Sequence, residues 1–225
     1  MGYSVAIDGP AGAGKSTIAK EIARRMNFIY IDTGAMYRAM ALYLLRNGIR
    51  SDEKEKIEEY CQRADISIAY ENGEQVVLLN GENVNRFIRT QEVGNMASAT
   101  SVNGMVRKKL VALQQKLAAS RKIIMDGRDI GTCVLPEADL KIYLTASSGV
   151  RAKRRYDELM AKGQKCSLKE IEAEIIERDK RDMEREISPL RQAEDAVLID
   201  SSEMSVEMVI QRIIELIEKN PPVCC

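Results

Sequence analysis

The chain has 225 residues, 45% hydrophobic and 30% charged, and its 34 basic and 34 acidic residues balance, so no overall positive charge points to nucleic acid. It contains no histidine, which excludes Ser/His catalytic triads and His-ligated metal sites. Its five cysteines form no C-x-x-C pair, so we expect free thiols in a reducing cytoplasm rather than disulfides or a zinc site.

A phosphate-binding loop follows the first predicted strand, Tyr3–Asp8. The next residues fit the pattern G-x-x-x-x-G-K-[ST], and a helical pattern comes directly after them. Such a loop points backbone N–H groups at phosphate oxygens, while Lys15 can reach the β- and γ-phosphates and the Ser16 hydroxyl can bind Mg²⁺. A glycine-rich turn that binds nothing is the alternative, and the strand–loop–helix context argues against it. We therefore predict that a nucleoside triphosphate is bound by Gly9, Pro10, Ala11, Gly12, Ala13, Gly14, Lys15, Ser16 and Thr17.

A second strand and two helices come next. The strand is predicted at Phe28–Asp32, and the helix that opens at Ala35 ends at Asn47-Gly48, a pair typical of a helix C-terminus. A third helix is predicted over residues 52–63, with Ser51 as its N-cap.

A small β segment then interrupts the alternation of strands and helices. The apolar runs Ile66–Tyr70 and Gln75–Leu79 flank Asn72-Gly73, which indicates a β-hairpin. A short third strand is predicted over residues 82–85. We interpret residues 64–95 as an insertion into an α/β chain.

Alternating helices and strands resume after this segment. Helical structure begins near Arg89, breaks near Asn103-Gly104, and continues as a long helix over Met105–Ala119. A charged helical stretch covers residues 149–185 with interruptions near Gly163 and Cys166. Further core strands are predicted at Lys122–Asp126, Lys141–Leu144 and Val197–Ile199. A last helix is predicted at Val206–Lys219 with Ser205 as N-cap, followed by a disordered tail after Pro222 that contains Cys224 and Cys225.

Five short strands alternating with helices predict an α/β fold with a mostly parallel sheet and helices on both faces. Ligands of such a sheet collect at the carboxyl ends of its strands. No signal peptide precedes the first strand and no apolar run has membrane-spanning length, so we expect a soluble, cytoplasmic protein without a membrane partner.

Arginines are concentrated near the predicted strand ends and on one helix. Phosphoryl transfer suits such a cluster, because guanidinium groups bind phosphate bidentately and stabilise charge on the transferred group. Arg181 and Arg185 follow Arg178 at offsets of three and seven residues, so the three arginines are predicted to share one helical face with Asp182. The remaining members are Arg38, Arg107 and Arg128.

Alternatives stay open for these residues at this point. The helix with three arginines could instead be a solvated face of i,i+4 ion pairs. Arg38 could lie along a surface helix with its charge in water. Asp126 could cap a helix, or hold a Mg²⁺-bound water at the end of its strand. Met96 and Cys133 are interpreted as packing residues.

Five segments together resemble the bacterial cytidylate kinases, and the resemblance extends from about residue 3 to residue 218. It implies a three-layer P-loop kinase fold and phosphoryl transfer from ATP to CMP or dCMP with Mg²⁺. We expect a monomer that binds no nucleic acid. A kinase of another monophosphate, such as UMP, and a non-catalytic nucleotide switch are the other hypotheses. The five segments are Gly9–Ser16, Asp32–Arg38, Arg89–Val93, Asp126–Thr132 and Glu177–Asp182.

The resemblance also implies roles for individual residues. Cytosine is expected to be recognised by Ser98, Arg107 and Asp129, and a carboxylate at Asp129 suits the exocyclic amine of cytosine. The acceptor phosphate is assigned to Arg38, Arg128 and Arg185, and the ribose to Arg178 and Asp182. Thr33 and Tyr37 complete the CMP set, and Arg154 joins the ATP set, with Arg151 and Arg155 nearby. The expected catalytic residues are Lys15, Arg128, Arg181 and Arg185, and the expected metal-site residues are Ser16 and, through water, Asp126.

Domain boundaries follow from the same resemblance. Residues 64–95 correspond to the monophosphate-binding insertion, and residues 151–187 to a short helical lid with its flanking helices. The core is expected at residues 1–63, 96–150 and 188–225, the last segment including the C-terminal helix.

Overall fold

The computed structural model describes residues 2–71, 73–119 and 122–220, which divide into two compact units. The first unit comprises residues up to Tyr30 together with the part of the chain that follows Ala119, and the second unit is Ile31–Ala119. The elements in chain order are β1 (Ser4–Asp8), α1 (Lys15–Met26), β2 (Ile29–Asp32), α2 (Thr33–Arg46), α3 (Lys54–Arg63), β3 (Ile66–Glu71), β4 (Glu74–Leu79), β5 (Glu82–Asn83), α4 (Gln91–Thr100), α5 (Gly104–Ala118), β6 (Ile123–Gly127), a π-helical turn (Ile130–Val134), β7 (Leu140–Thr145), α6 (Ser148–Ala161), α7 (Leu168–Glu184), β8 (Val197–Asp200) and α8 (Val206–Lys219).

A five-stranded parallel sheet in the order β2-β6-β1-β7-β8 forms the core, flanked by helices, as the sequence predicts. The central strand β1 pairs with β6 on one side and β7 on the other, so that Ile7 lies beside Asp126 and Ile142. Every residue of β1 after Ser4 is buried. Strands covered on both faces must be apolar throughout, and this explains the continuous run Val5-Ala6-Ile7.

Helices α1 and α8 pack together over this sheet. Helix α8 buries Val209, Ile213 and Ile217, spaced by four residues, and leaves its charged residues in water. They join Ile18 and Ile22 of α1 in one hydrophobic cluster with β1 and β7. Packing along α1 therefore fixes the start of this helix, which follows the glycine-rich loop.

The second unit contains a three-stranded antiparallel sheet, β3-β4-β5. The predicted hairpin is confirmed, with Glu71 opposite Glu74, while Asn72 lies outside the described residues. The predicted third strand over residues 82–85 is too long, because β5 ends at Asn83. The Asn85 side chain instead bonds the backbone of β4, accepting from the Val77 N–H at 3.0 Å and donating to the Gln75 carbonyl at 2.9 Å.

One local prediction needs correction, and one turn was not predicted. Ser51 is not an N-cap, because α3 begins at Lys54, two residues after its predicted start, and Glu53 occupies the capping position. The Glu53 carboxylate accepts from the Arg50 N–H at 2.8 Å. The π-helical turn after β6 carries no sequence signal that we recognised. The predicted break at Asn103 and the predicted cap at Ser205 are confirmed, since each side chain accepts from an N–H of the helix that follows.

The second unit extends beyond the predicted insertion at both ends, and the predicted domain boundaries stay a prediction. Cys224, Cys225 and the tail predicted after Pro222 lie outside the described residues. Over residues 2–71, 73–119 and 122–220, no helix combines the length and the apolar character needed to cross a membrane.

Replacing Ile142 by alanine is expected to lower the free energy of unfolding by about 2–5 kcal/mol, because its side chain is fully packed between neighbours. Leu198, on the edge strand β8, provides the matched control: it is 55% exposed, against 1% for Ile142. Leu198→Ala should change stability by less than about 1 kcal/mol. Urea unfolding followed by circular dichroism measures both, and equal losses would contradict this description of the core.

Candidate active site

The phosphate-binding loop joins β1 to α1 and is held against the sheet. A Cβ atom at Gly9 would lie 1.9 Å from the carbonyl oxygen of Leu144 in β7, so no residue but glycine fits there. Gly14 has φ +86° and carries no side chain that could cap α1. The first N–H groups of α1 therefore open towards the loop, which is the arrangement that binds phosphate at a helix N-terminus.

Lys15 lies inside the loop. Its side chain is buried, and its ammonium donates to the carbonyls of Gly9 and Pro10, both at 2.7 Å. Burial lowers the pKa of Lys15, and the nearby Arg128 guanidinium lowers it further. A phosphate brought next to this ammonium supplies the opposite charge that favours the protonated form, so the loop is electrostatically matched to an anion.

A hydroxyl and a carboxylate stand together at the start of α1. Ser16 Oγ donates to Asp126 Oδ2 at 2.8 Å, and Tyr30 donates to Asp126 Oδ1 at 2.8 Å. Asp126 lies within β6, so it does not occupy an N-cap position. Paired oxygen ligands fit Mg²⁺, which retains several waters and takes few protein ligands. Within the described ranges, no group of three or more acidic or cysteine side chains could hold a metal by itself.

Asp8, the last residue of β1, anchors the π-helical turn. Its two carboxylate oxygens accept from the N–H groups of Ile130 and Gly131 at 2.8 and 2.7 Å. Burial raises the pKa of Asp8 to about 6, with Asp129 adding to the rise and Lys15 opposing it. Asp8 thus fixes the chain just after Arg128 and Asp129. We did not predict this role of Asp8, although a carboxylate that ends an apolar strand is a signal the sequence offers.

Two buried ion pairs join the residues after β6 to the end of α7. Arg128 Nε contacts Asp182 Oδ2 at 2.8 Å, and Arg185 Nη2 lies 3.3 Å from Asp129 Oδ1. Burial alone would raise the pKa of Asp182, but the guanidinium groups of Arg128, Arg178 and Arg185 together outweigh burial and hold that pKa below its usual value. The solvated-face alternative therefore does not describe Asp182 or Arg185.

The predicted arginine face on α7 is wrong in one respect. The helix ends at Glu184, so Arg185 lies beyond it with extended backbone and donates from Nε to the Ser188 carbonyl at 2.5 Å. Arg181 is exposed and pairs with Glu177 at 2.8 Å, an i,i+4 contact of the kind the alternative describes. Arg178 is also exposed, yet it contributes to lowering the pKa of Lys15. The catalytic role expected of Arg181 stays a prediction.

In the second unit, Asp32 organises the start of α2. One carboxylate oxygen accepts from the Ala35 N–H at 2.8 Å and the other from Arg38 Nη2 at 3.1 Å. The amide side chain of Gln75, on β4, brackets the Asp32 backbone: it accepts from the N–H at 2.8 Å and donates to the carbonyl at 3.3 Å. Thr33, which follows Asp32 and is the first residue of α2, is buried. Arg38 is thus oriented by a carboxylate and does not merely lie along a surface.

Arg107 is buried on α5 in the same unit. It donates to the Ser101 carbonyl at 3.3 Å, and its guanidinium lies 5.9 Å from the centre of the Tyr37 ring. Ser98, also buried, is linked to Ser101 because the Ser101 hydroxyl donates to the Ser98 carbonyl at 2.9 Å. The structure therefore brings together Tyr37 and Arg107, and Arg107 bonds Ser101, which lies one helical turn after Ser98.

Two of the three arginines of α6, Arg151 and Arg154, donate to backbone atoms of the first unit. Arg154 donates to the Ser201 carbonyl at 2.7 Å and to the Ser201 hydroxyl at 3.2 Å. Arg151 contacts the phosphate-binding loop itself, where its Nη1 donates to the Ala11 carbonyl at 2.8 Å. The expected contact of Arg154 with ATP stays a prediction.

A parallel sheet whose first strand enters a G-x-x-x-x-G-K-S loop, with a lysine folded inside the loop, defines a P-loop nucleotide-binding protein. Within that class, the cytidylate kinase family model matches residues 5–219, and the chain belongs to this family. The resemblance seen in the five sequence segments is thereby confirmed.

Individual relatives agree with the family model. The chain is 52% identical to the cytidylate kinase of Caldicellulosiruptor saccharolyticus over 96% of both chains, and 46% identical to that of Bacillus subtilis over the same shares. An uncharacterized protein from Eubacterium ventriosum has a solved structure with a TM-score of 0.56 at 15% identity, covering 97% of this chain and 99% of that one. A shikimate kinase from Bacteroides thetaiotaomicron gives 0.50 at 16% identity, covering 96% and 98%. These two structures support the fold alone.

Asp8→Asn is expected to change how stability depends on pH. Because the pKa of Asp8 is raised to about 6 in the folded state, the folded protein holds a proton there that the unfolded chain has already lost. Asp8 therefore makes the free energy of unfolding fall by about 3 kcal/mol as pH rises from about 4 to about 7.

The asparagine variant lacks this titration and also loses an acceptor, so it should be less stable than the wild type at low pH. Its deficit should shrink as pH rises through that window. Urea unfolding of both proteins at pH 4.5 and pH 7.5 measures the difference. A deficit that is independent of pH would show that Asp8 does not titrate in this range.

Proposed function

We propose that this protein transfers the terminal phosphoryl group of ATP to CMP or dCMP, giving ADP and CDP or dCDP. Membership of the cytidylate kinase family over residues 5–219 carries this proposal. The phosphate-binding loop with its enclosed lysine is the matching feature of the geometry. A slow nucleotide switch would have no use for a second set of phosphate-binding arginines.

The loop Gly9–Ser16 is proposed to bind the ATP phosphates through its N–H groups and the N-terminal end of α1. Lys15 places its ammonium on the β- and γ-phosphates and stabilises the charge that spreads over the transferred group. The reaction needs little covalent chemistry from the protein, because the phosphate of CMP is already an ionised nucleophile. Positioning and electrostatic stabilisation therefore carry the rate.

Mg²⁺ is the proposed cofactor. When bound, it neutralises charge on the β- and γ-phosphates. The Ser16 hydroxyl would hold it directly, and Asp126 would hold one of its waters, in keeping with their 2.8 Å hydrogen bond. Tyr30 keeps the Asp126 carboxylate oriented by donating to its other oxygen.

The acceptor nucleotide is proposed to use the two arginine–carboxylate pairs of the first unit. Arg128 and Arg185 are permanently charged donors for its phosphate, and Asp182 holds Arg128 in place at 2.8 Å. Asp129 accepts from the exocyclic amine of cytosine. In the second unit, the proposed ligands of CMP are Thr33, Tyr37, Arg38, Ser98 and Arg107.

Further parts of the proposal concern the setting of the reaction. Cys61, Cys133 and Cys166 are free thiols, which fits the reducing cytoplasm. We propose a monomer that binds neither nucleic acid nor membrane. Residues 151–187 are proposed to form a short lid with its flanking helices, and the lid excludes water during transfer.

The function is tested by incubating the protein with ATP, Mg²⁺ and CMP, dCMP, UMP, AMP or GMP in parallel. ADP release is expected to be fastest with CMP or dCMP. Lys15→Ala is the control against a contaminating kinase, and it should remove most turnover while CMP binding stays near normal. Faster turnover of UMP or a purine nucleotide would replace the proposal with another monophosphate kinase, and tight ADP retention without turnover would support a switch.

Asp129→Asn is expected to narrow the preference for CMP over UMP by about ten- to a hundredfold. The carboxylate offers only acceptors and so opposes the O4 carbonyl of uracil, whereas the amide also donates a hydrogen bond to it. Values of kcat/KM for both nucleotides measure the change. The exposed Asp157→Asn on α6 is the matched control. An unchanged preference in Asp129→Asn would show that Asp129 does not read the base.

A further inference from the structure

One residue of the phosphate-binding loop is held through both of its backbone polar groups. The Ala11 N–H donates to Asp179 Oδ1 at 3.3 Å, and the Ala11 carbonyl accepts from Arg151 Nη1 at 2.8 Å. Arg151 lies on α6 and Asp179 on α7. The two peptide planes that meet at Ala11 are therefore oriented by side chains from two different helices.

The two side chains also bind each other. Arg151 Nη1 lies 2.6 Å from Asp179 Oδ2, and the side chains are only 7% and 11% exposed. Arg151 Nε donates to the Ala146 carbonyl at 2.8 Å, which fixes the guanidinium plane. A buried ion pair keeps its geometry when its members also make hydrogen bonds within the protein. Here those hydrogen bonds go to Ala11 and Ala146.

The loop also rests on the stem of the arginine. A Cβ atom at Gly12 would lie 3.4 Å from the Cβ of Arg151, so the backbone at Gly12 packs directly against this side chain. Arg151 thus contacts the loop at two consecutive residues, by a hydrogen bond and by packing. Nε and Nη1 of Arg151 are used on Ala11, Ala146 and Asp179, which indicates a role towards the loop.

The position of these peptide groups matters for phosphate binding. Donors that stabilise charge must be aimed in advance, and a displacement of about 1 Å can reduce a rate by about a hundredfold. A glycine-rich loop has little stiffness of its own, because glycine has wide backbone freedom. The rigidity of the loop at Ala11 must come from its contacts.

We propose that the Arg151–Asp179 ion pair is a positioning device for the phosphate-binding loop, through which α6 and α7 set the affinity for the triphosphate. The pair acts through Ala11 and Gly12 and does not touch the reacting atoms. The inference rests on the proposed function only for the identity of the donor, ATP.

Two variants test this role, and one control accompanies them. Arg151→Lys keeps the charge but cannot reach Ala11, Ala146 and Asp179 together. Asp179→Asn keeps the shape and an acceptor for the Ala11 N–H but removes the charge opposite Arg151. Lys153→Gln, an exposed position on α6 that pairs with Asp157, is the matched control.

The affinity for MgATP is measured by titration calorimetry with no acceptor present, and the affinity for CMP is measured separately. Each variant is expected to bind MgATP at least about tenfold more weakly, while CMP affinity stays within about twofold. The double variant should lose little more than the worse single one, because both side chains act on the same loop residue. The control should match the wild type for both nucleotides.

Unchanged MgATP affinity in folded variants would overturn the proposal. Equal weakening towards both nucleotides would also overturn it, because a merely structural role predicts that result. If Arg151→Lys does not fold, the isosteric Asp179→Asn decides by the same comparison. Wild-type protein that binds MgATP but does not phosphorylate CMP would refute the proposed function, and the MgATP titrations would still test the ion pair.

Discussion

The close approach of the chain to the sheet at Gly9 is the constraint on which the rest of the first unit depends. Since only a hydrogen atom fits between this residue and the Leu144 carbonyl, the loop leaves β1 in direct contact with β7. That exit places Lys15 inside the loop and Ser16 within 2.8 Å of Asp126. Packing of α1 against α8 then keeps the helix N-terminus where the exit leaves it.

Aspartates do most of the positioning in this protein, which has no histidine. Asp8 fixes the π-helical turn, Asp126 accepts from two hydroxyls, and Asp182 holds Arg128. Asp8 offers its two oxygens to two N–H groups and Asp126 offers its two to Ser16 and Tyr30, whereas Asp182 contacts Arg128 Nε through one oxygen. The cations are therefore held at defined positions, and binding energy need not be used to order them when a phosphate arrives.

The sequence predicts those features that are encoded locally. The five core strands, the phosphate-binding loop and the caps at Asn103 and Ser205 each have a signal within a few residues, and they are confirmed. The contacts of Asp8 with Ile130 and of Asp179 with Ala11 join residues 122 and 168 positions apart, and no local pattern announces them. The end of β5 coincides with hydrogen bonds between the Asn85 side chain and β4, and the departure of Arg185 from its helix coincides with its ion pair to Asp129, which is distant in sequence.

Two hydrogen bonds between the Gln75 side-chain amide and the Asp32 backbone connect the β insertion to the start of α2. The Gln75 side chain makes the two hydrogen bonds that a neighbouring strand would make, so the backbone at Asp32 is supported without a continuous sheet. Glu71, Gly73 and Glu74 at the turn of the hairpin are exposed and take no part in this contact. Loop tips of this kind accept added residues. A reporter peptide inserted at this turn would therefore be carried by the insertion. The Asp32–Gln75 hydrogen bonds and the first turn of α2 would stay unchanged.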